Sequence, residues 1–577
     1  MNQSTKNFAR SDEEIIAMTE NYRCELETLY GFGEPLPDTG NWLVDRDGVR
    51  TTRELPNGGV KVVTACRAPL AVTKLIENAE TDLHGVELAF KLRGMWHFIE
   101  CARSEIADRS RIIQLADRGL PVTSETARAM ITYLDDFIAC NLDFIRREQS
   151  INRLGWFRGC FIPYSDSIRL AESSGLRGVI RSAGSLRAWR EHVVALLDGN
   201  TMLRLYLAAS FASAIIEPLG LQNFVAHLWG RTGSGKSVAL MLAASVWGEP
   251  DGRLFGTMNG TLNYMQSQAA ALRSVPLCLD ELQTVRDSFG NYDKLIMQLG
   301  VGVGRGRADR DGSARKTNEW HNTALFTGEE PLLKPESGAG AVNRVLQLCV
   351  DDLPGNIISN GGETVAVIKE NYGVAGAMFV SGLLRDGSRC DEIIAALRGR
   401  YKDHLSEILQ AAPTSGKQAA ILAALLAADE FAEITVYHTG NPLTPRDVMH
   451  YALTCDDISK PRRAMDYTLN MISVHQNDFQ GVYRKSDGTV SDGWGHQPGG
   501  MIFGKLTDSA AYINKSVLVR WLEEGGYSFD AVKKEWAQCG FLQKNAAGKY
   551  CCSPPKGMSG SFIKLNLRND PKLPDIT

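Results

Sequence analysis

The stretch that decides the fold is residues 224–248, FVAHLWGRTGSGKSVALMLAASVWG. Its first six residues are an apolar run that predicts a buried strand, and its last residues predict an apolar helix. Between them, residues 230–237 match the phosphate-loop pattern GxxxxGK[ST] in full. Strand, glycine loop and helix follow in the order that this motif requires. The alternative, a chance match in a glycine-rich turn, does not explain that order.

The chemistry of such a loop follows from its backbone. Glycines let N–H groups close around phosphate oxygens, and the following helix adds positive potential at its N-terminus. We expect Lys236 to contact the β- and γ-phosphates of ATP and Ser237 to bind Mg²⁺. The predicted nucleotide-binding residues are Gly230, Arg231, Thr232, Gly233, Ser234, Gly235, Lys236 and Ser237.

A second apolar run, residues 275–279, is followed directly by Asp280 and Glu281. We expect Asp280, at a strand end, to hold Mg²⁺ together with Ser237, and Glu281 to polarise the attacking water. This acidic pair favours ATP hydrolysis over nucleotide binding alone. The alternative is an apolar strand that ends in a solvated turn.

Two further residues complete the predicted catalytic set of Lys236, Glu281, Thr327 and Arg344. Thr327 ends the strand-like run TALF and is expected to contact the γ-phosphate or the water. Arg344 precedes a last strand, where it can reach the nucleotide of a neighbouring subunit as an arginine finger. A satisfied strand-end hydroxyl and a surface arginine in a local ion pair are the alternatives.

This order of motifs resembles that of the AAA+ ATPases, and it predicts an α/β P-loop NTPase core. In superfamily-three and MCM-type helicases, the interval between the acidic strand and the Thr327 strand holds a hairpin that points into a central pore. Here that interval contains GVGRGRADRDGSARK, residues 302–316, with an Asp-Gly turn. By this resemblance Arg305, Arg307 and Arg310 contact DNA phosphates. A solvated loop is the alternative.

Four stretches carry a closer resemblance: HLWGRTGSGKSVALMLAASVWGEP, LDEL, GRGRADRDGSARKTNEWHNTALFTGEEPL and YINKSVLVRWLEEGGYSFDAVKKEWAQCGFL. They are similar to the family catalogued as domain of unknown function 927, which includes replicative helicases of staphylococcal cassette chromosome elements and ATPases of phages. The resemblance implies an MCM-like AAA+ DNA helicase or translocase that replicates a mobile element. It also implies a hexameric ring on single-stranded or forked DNA and a C-terminal winged-helix domain.

Other functions stay open. An AAA+ initiator or loader, or a defence or packaging ATPase, would remodel DNA or protein without processive unwinding. The chain has Thr327 where MCM proteins usually have Asn, and little room for their long insert near the second helix. The sequence does not identify which arginine would be sensor 2. No primase motif is apparent, so a primase or initiator partner would be encoded elsewhere.

The rest of the chain predicts flanking domains. Residues 1–195 read as an α+β domain with a polar extension over residues 1–20, residues 196–435 as the ATPase core with a helical lid, and residues 436–577 as helices followed by a winged helix. That last domain could contact DNA or protein. The formal charge of −4 excludes a uniformly basic DNA-coating protein. Scattered cysteines and the lack of a signal core predict a cytoplasmic protein without a membrane span.

Overall fold

The computed structural model describes residues 25–567, except residues 57, 177, 253, 258–260, 282–291, 307–316, 336, 385–389, 412–413, 485–489, 495–501, 508 and 556. The chain divides into two compact units, residues 1–180 and residues 181–577. The domain boundaries that the sequence predicts, after residues 195 and 435, stay predictions.

The N-terminal unit is built on β-sheets, in the part of the chain where short strands are predicted. Its strands are β1 (Leu43–Asp45), β2 (Gly48–Glu54), β3 (Val60–Cys66), β4 (Leu70–Asn78), β5 (His84–Leu92), β6 (Met95–Ala102), β7 (Arg146–Ile151), β8 (Gly155–Phe157), β9 (Cys160–Ile162) and β10 (Ile168–Leu170). The sheets have the orders β1-β2-β3, β10-β7-β4-β5-β6 and β8-β9. Between β5 and β6, Arg93 and Gly94 have φ of 51° and 82°. Two left-handed residues in succession are what a type I′ hairpin turn requires.

Helices of this unit cover a sheet core. They are α1 (Arg103–Ala107), α2 (Arg109–Gln114) and α3 (Ala127–Cys140). Met130, Tyr133, Leu134 and Phe137 recur at the spacing of one helical face and are all buried. They belong to the same core as the inward residues of β4 and β5. Ala127–Cys140 therefore forms one amphipathic helix against a sheet, as suits the predicted α+β domain.

The second unit begins with two helices, α4 (Leu186–Leu197) and α5 (Thr201–Leu219). Asn200 caps α5 by accepting a hydrogen bond from Leu203 N, and Gly220 ends it with φ of 69°. By length and composition α5 could cross a membrane, but 83% of its most apolar window is buried inside the protein. It is a core helix of this unit.

A parallel sheet follows. Its strands and flanking helices are β11 (Val225–Trp229), α6 (Lys236–Ser245), β12 (Phe255–Thr257), α7 (Leu262–Leu272), β13 (Leu277–Asp280), α8 (Asp293–Val301), β14 (Ala324–Gly328), α9 (Ala339–Val342) and β15 (Val345–Cys349). The strand order is β12-β13-β14-β11-β15, and every neighbouring pair is parallel. The carboxyl ends of all five strands therefore lie at one edge, where loops can form a site.

Further helices pack behind this sheet. They are α10 (Gly361–Glu370), α11 (Val374–Leu383), α12 (Cys390–Ala411), α13 (Gly416–Ala432), α14 (Pro445–Val448) and α15 (Cys455–Ile458). An ion-pair cluster links α13 to α5, because Arg204 lies 2.7 Å from Asp429 and 3.1 Å from Glu433. All three side chains are largely buried, so each charge depends on the others.

The chain ends in a helical and sheet domain. Its elements are α16 (Lys460–Val474), β16 (Phe479–Arg484), β17 (Val490–Trp494), β18 (Gly504–Thr507), β19 (Ala510–Asn514), α17 (Lys515–Glu524), α18 (Phe529–Gln538) and β20 (Phe562–Asn566). The sheet order is β17-β16-β18-β19-β20. Trp521 of α17 and Trp536 of α18 are buried in one apolar core with Met465 of α16. Residues 515–566 follow the order helix, turn, helix and strand, which suits the winged helix predicted at the end of the chain.

Candidate active site

Residues 230–237, which we call the glycine loop, join the carboxyl end of β11 to α6. Gly230 and Gly235 have φ of 129° and 93°, in the region that side chains rarely adopt. A Cβ on Gly230 would lie 2.8 Å from Val350 Cγ2, and one on Gly235 would lie 2.8 Å from the Ile358 carbonyl oxygen. Both positions therefore need glycine for backbone geometry and for space.

Lys236 is the first residue of α6, and its side chain is folded into the loop. Its Nζ donates to the carbonyl oxygens of Gly230 at 2.9 Å and Arg231 at 2.7 Å. Burial lowers the pKa of this ammonium group, and the nearby carboxylate of Glu329 opposes the shift. The lysine is thus poised at the centre of the loop.

A cavity of about 420 Å³ opens beside this lysine. It brings together Gly235, Lys236 and Ser237 of the loop with Asp280, Glu281 and Glu329 from two neighbouring strand ends. Thr232 and Gly233 also line it. The parallel sheet accounts for this arrangement, because it places the carboxyl ends of β11, β13 and β14 side by side.

Asp280 and Thr327 are in contact between adjacent strands. Thr327 is buried near the end of β14 and donates its hydroxyl hydrogen to Asp280 Oδ1. The backbone N–H of Glu281 donates to the same oxygen at 3.0 Å. Glu281 has φ of 58°, an unfavourable conformation of the kind that clusters at functional sites. Its side chain is exposed toward the cavity mouth.

Two charged residues near the loop, Glu329 and Arg231, differ from what the sequence predicts. Glu329 was missed: its Oε1 accepts a hydrogen bond from the hydroxyl of Thr232. The available signal was its position two residues after Thr327, just beyond a strand end. Arg231 faces away from the cavity centre, since it pairs with Asp351 at 3.1 Å and donates to the Gly355 carbonyl at 2.7 Å.

Ser234 is buried, and its role is local to the loop. Its hydroxyl donates to the Arg231 carbonyl at 2.9 Å, and its own carbonyl accepts from Ile357 N at 2.9 Å. These contacts tie the loop to the segment that follows β15. Ser234 therefore holds the shape of the loop, whereas Ser237 is exposed at the cavity.

Arg344 lies apart from this cavity. It precedes β15 and so sits at the amino edge of the sheet, roughly 15 Å of strand away from the carboxyl edge. Its Nη1 donates to the Gly340 carbonyl at 2.7 Å, and it contacts Met297 Sδ of α8 at 3.4 Å. When the Gln222 amide is oriented with its oxygen toward Arg344, that oxygen accepts a hydrogen bond from Arg344 Nη2 at 2.9 Å.

Residues 302–304, at the start of residues 302–316 (the cationic stretch), pair antiparallel with residues 318–320. Gly304 N donates to the Asn318 carbonyl at 2.8 Å, and Trp320 N donates to the Gly302 carbonyl at 2.9 Å. Trp320 is fully buried and donates through Nε1 to the Leu299 carbonyl of α8. Arg305 is exposed just beyond this base. Arg307 and Arg310 lie outside the described residues.

Two family comparisons match separate parts of the chain. Residues 43–319 match the family described as domain of unknown function (DUF927), and residues 459–567 match the Cch helix turn helix domain. The first match spans the N-terminal sheets and the sheet up to the return of the cationic stretch. A comparison with curated proteins found no significant match.

The solved structure of an active helicase, Cch of SCCmec type IV, has a similar fold. The TM-score is 0.66 at 15% identity, over 92% of this chain and 99% of that one. The apo C-terminal region of NrS-1 matches with a TM-score of 0.25 at 10% identity, over 72% and 95% of the two chains. The JCV helicase bound to a thiazolopyridinyl-phenoxyphenyl acetamide gives 0.19 at 12%, over 37% and 68%. The last two TM-scores are too low to indicate a shared fold.

The fold similarity to Cch covers 92% of the chain, and the two family matches cover residues 43–319 and 459–567. The resemblance predicted from the sequence is therefore confirmed at the level of family and fold. Residues 43–319 thus resemble the DUF927 family, and residues 459–567 resemble the Cch helix-turn-helix domain.

Proposed function

We propose that this protein is an ATP-dependent DNA helicase or translocase with an AAA+ P-loop core and a C-terminal winged helix. The observation that carries the proposal is the cavity in which Lys236, Ser237, Asp280 and Glu281 meet at the carboxyl edge of a parallel sheet. These residues come from separate motifs, and the function requires them at one point.

ATP and Mg²⁺ fit the residues that line the cavity. Gly230 and Gly235 adopt positive φ values that side chains rarely adopt, and such a backbone can turn its N–H groups toward bound phosphate. Within the described ranges, no three His, Cys, Asp or Glu side chains gather as a metal site. Mg²⁺ at nucleotide sites needs only one or two protein ligands beside phosphate oxygens, and Ser237 and Asp280 would supply them.

Each residue that lines the cavity would have a separate role in ATP hydrolysis. Mg²⁺, when bound, offsets negative charge on the transferring phosphoryl group. Lys236 would exchange its two carbonyl partners for phosphate oxygens, which are stronger acceptors for an ammonium group. Thr327 holds the Asp280 carboxylate and would orient the attacking water. Glu281 would polarise that water, and Glu329, across the cavity, is a second carboxylate able to do so.

Assembly into a ring would complete each site. Arg344 lies at the sheet edge away from its own glycine loop, so it cannot serve the nucleotide of its own subunit. A head-to-tail contact would bring it to the nucleotide of the next copy, and such contacts close into rings. We take a hexamer as the working state, with Arg344 acting in trans.

The DNA contacts would come from the cationic stretch. Its base is a pair of antiparallel segments, which supports a hairpin over residues 302–320. Arg305, Arg307 and Arg310 on such a hairpin would bind phosphates, which carry no direct sequence information. A primase or initiator partner would be supplied by another protein.

One observation favours a second candidate function. The Cch helix-turn-helix domain at residues 459–567 would suit an initiator or loader that binds a defined DNA site without processive unwinding. Strand displacement by the purified protein on forked DNA separates the two. A helicase displaces the strand with ATP alone, whereas an initiator hydrolyses ATP and leaves the fork paired unless a partner is added.

The ATP site is tested by a matched pair of isosteric variants, Glu281→Gln and Glu329→Gln. If Glu281 polarises the water, Glu281→Gln retains ATP binding and loses turnover, while Glu329→Gln keeps most of its turnover. Nucleotide affinity and single-turnover hydrolysis are the measurements. The reverse pattern would assign the role to Glu329, and normal turnover in both variants would refute a carboxylate role at this cavity.

The ring is tested by mixing inactive variants. Arg344→Ala subunits and Lys236→Ala subunits should each be inactive alone, and mixtures should regain partial ATPase activity because some interfaces contain both groups. Native mass measurement verifies that mixed rings form. Verified mixed rings without any recovery would argue against Arg344 acting in trans.

A further inference from the structure

The segment of residues 331–338 links the two ends of the proposed catalytic machinery. It follows Thr327 and Glu329 at the carboxyl edge of β14, and it leads into α9 and Arg344. Leu333 N donates to the side chain of Gln347 at 2.8 Å, which ties the segment to β15. We call residues 331–338 the linking segment.

Side chains of the C-terminal domain donate hydrogen bonds to backbone carbonyls of the linking segment. Arg463 of α16 donates through Nη1 to the Pro335 carbonyl and through Nη2 to the Ser337 carbonyl, each at 2.5 Å. The Tyr527 hydroxyl donates to the same Pro335 carbonyl at 2.7 Å. Two residues from different elements of one domain thus converge on one carbonyl of the ATPase core.

Arg463 and Tyr527 are both held in place within the C-terminal domain. Tyr527 is 3% exposed and lies in the turn between α17 and α18, inside the range that matches the Cch helix-turn-helix domain. The Trp536 Nε1 of α18 donates to the Pro461 carbonyl at 2.7 Å, so α18 is bound to α16, which carries Arg463. A shift of these helices would therefore move Arg463 and Tyr527 together.

The other end of the linking segment is fixed to the core. Gly338 N donates to Asp293 Oδ2 of α8 at 2.6 Å. α8 contacts Arg344 through Met297, and its Leu299 carbonyl accepts a hydrogen bond from Trp320 Nε1 at the base of the cationic stretch. The segment is therefore joined to the helix-turn-helix domain on one side and to the Arg344 and α8 region on the other.

We infer that Arg463 is a positioning residue for ATP hydrolysis, through which the helix-turn-helix domain couples its own DNA engagement to turnover. The inference rests on the proposed function. A guanidinium that bonds two carbonyls at once fixes a backbone in place better than a single donor can. By holding residues 335 and 337, it holds the connection between Thr327 and Arg344 in the geometry that hydrolysis needs.

The test measures kcat and KM for ATP, with and without duplex DNA, in four variants. Arg463→Gln removes the charged fork, Arg463→Lys retains a charge, and Tyr527→Phe removes only a hydroxyl. The control is Arg520→Gln on α17, whose exposed side chain pairs within its own helix with Glu524 at 3.7 Å. Thermal melting of each variant checks that the domain remains folded.

We expect Arg463→Gln to lower kcat by roughly fivefold or more, the usual size of coupling between sites, with KM for ATP within about twofold of the parent. The stimulation of ATPase activity by DNA should fall toward none, Arg463→Lys should recover part of it, and Tyr527→Phe should show a smaller loss. Arg520→Gln should match the parent. A general folding defect would not produce a fall in kcat that spares KM and is partly rescued by lysine.

The outcomes separate this inference from the proposed function. A parent protein that hydrolyses no ATP refutes the proposed function itself. An active parent whose Arg463→Gln variant keeps the parent kcat and the parent DNA stimulation refutes the inference alone. If Arg463→Gln has a lowered melting temperature, the coupling is judged from the folded Tyr527→Phe variant. A Tyr527→Phe variant with the parent kcat and the parent DNA stimulation would count against the coupling.

Discussion

Acidification should loosen the strand that carries the glycine loop, because His227 is buried in the middle of β11. His227 is 0% exposed, and neither ring nitrogen has a hydrogen-bond partner among the described residues. Burial lowers the pKa of His227 to about 3 from the usual 6.5, and the positive charge of Lys236 adds to the shift. The folded protein therefore keeps this imidazole neutral where the unfolded chain protonates it.

The size of the effect follows from linkage. A group whose pKa is lower in the folded state contributes stability that is present above the unfolded pKa and is lost as pH falls toward the folded pKa. With values of 6.5 and about 3, going from pH 7.5 to pH 5 costs about 2 kcal/mol, or roughly 30-fold in the opening equilibrium of β11. The full loss is reached only near the folded pKa.

Hydrogen exchange of the backbone amides of β11 measures this directly. The protection of residues 225–229, corrected for intrinsic exchange rates, is compared at pH 7.5 and pH 5 in the parent and in His227→Leu. The leucine variant has similar bulk and no titratable group, so it should lose much less protection than the parent. An equal loss in both proteins would show that His227 does not control the acid sensitivity of this strand.

Three further outcomes are expected. Lys236→Ala should lower ATPase turnover by about 100-fold or more, as the loss of a preorganised phosphate donor does; a steady-state ATPase assay showing a loss below tenfold would contradict this role. Gly300→Ala should lower turnover without lowering nucleotide affinity, since the new Cβ would lie 2.3 Å from Arg344 Cδ and displace that side chain; unchanged turnover would argue against a role for Arg344. Arg305→Ala should flatten the log–log salt dependence of DNA binding by about 0.7–0.9, measured by fluorescence anisotropy, and an unchanged slope would place this arginine away from phosphates.

Local sequence predicted much of the region around the glycine loop because its signals are short-range. The order of apolar strand, glycine loop and apolar helix at residues 224–248 forms β11, the loop and α6, with Lys236 at the helix start. Thr327 and Arg344 lie next to the strands where the sequence predicts them. Strand ends and turns depend on apolar period and on glycine, which can be read from a single stretch.

The site itself depended on strand order, which no single stretch contains. Asp280 and Thr327 are in contact because β13 and β14 are neighbours, and Glu329 enters the cavity because β14 lies beside β11. The sequence did not identify Glu329 as a site residue, because an exposed acidic residue after a strand is common. Its hydrogen bond with Thr232, which places it at the cavity, is visible only in the structure.

The sequence by itself determined the resemblance to the DUF927 family, the elements around the glycine loop and the chemistry available at that loop, because each depends on contiguous residues. Tertiary structure alone decided that Arg463 and Tyr527 hold the carbonyl of Pro335, a contact across 128 and 192 residues of chain. Backbone carbonyls occur at every position and carry no sequence signature. Which carbonyl a distant arginine binds is therefore fixed only when the packing of the domains brings the two together.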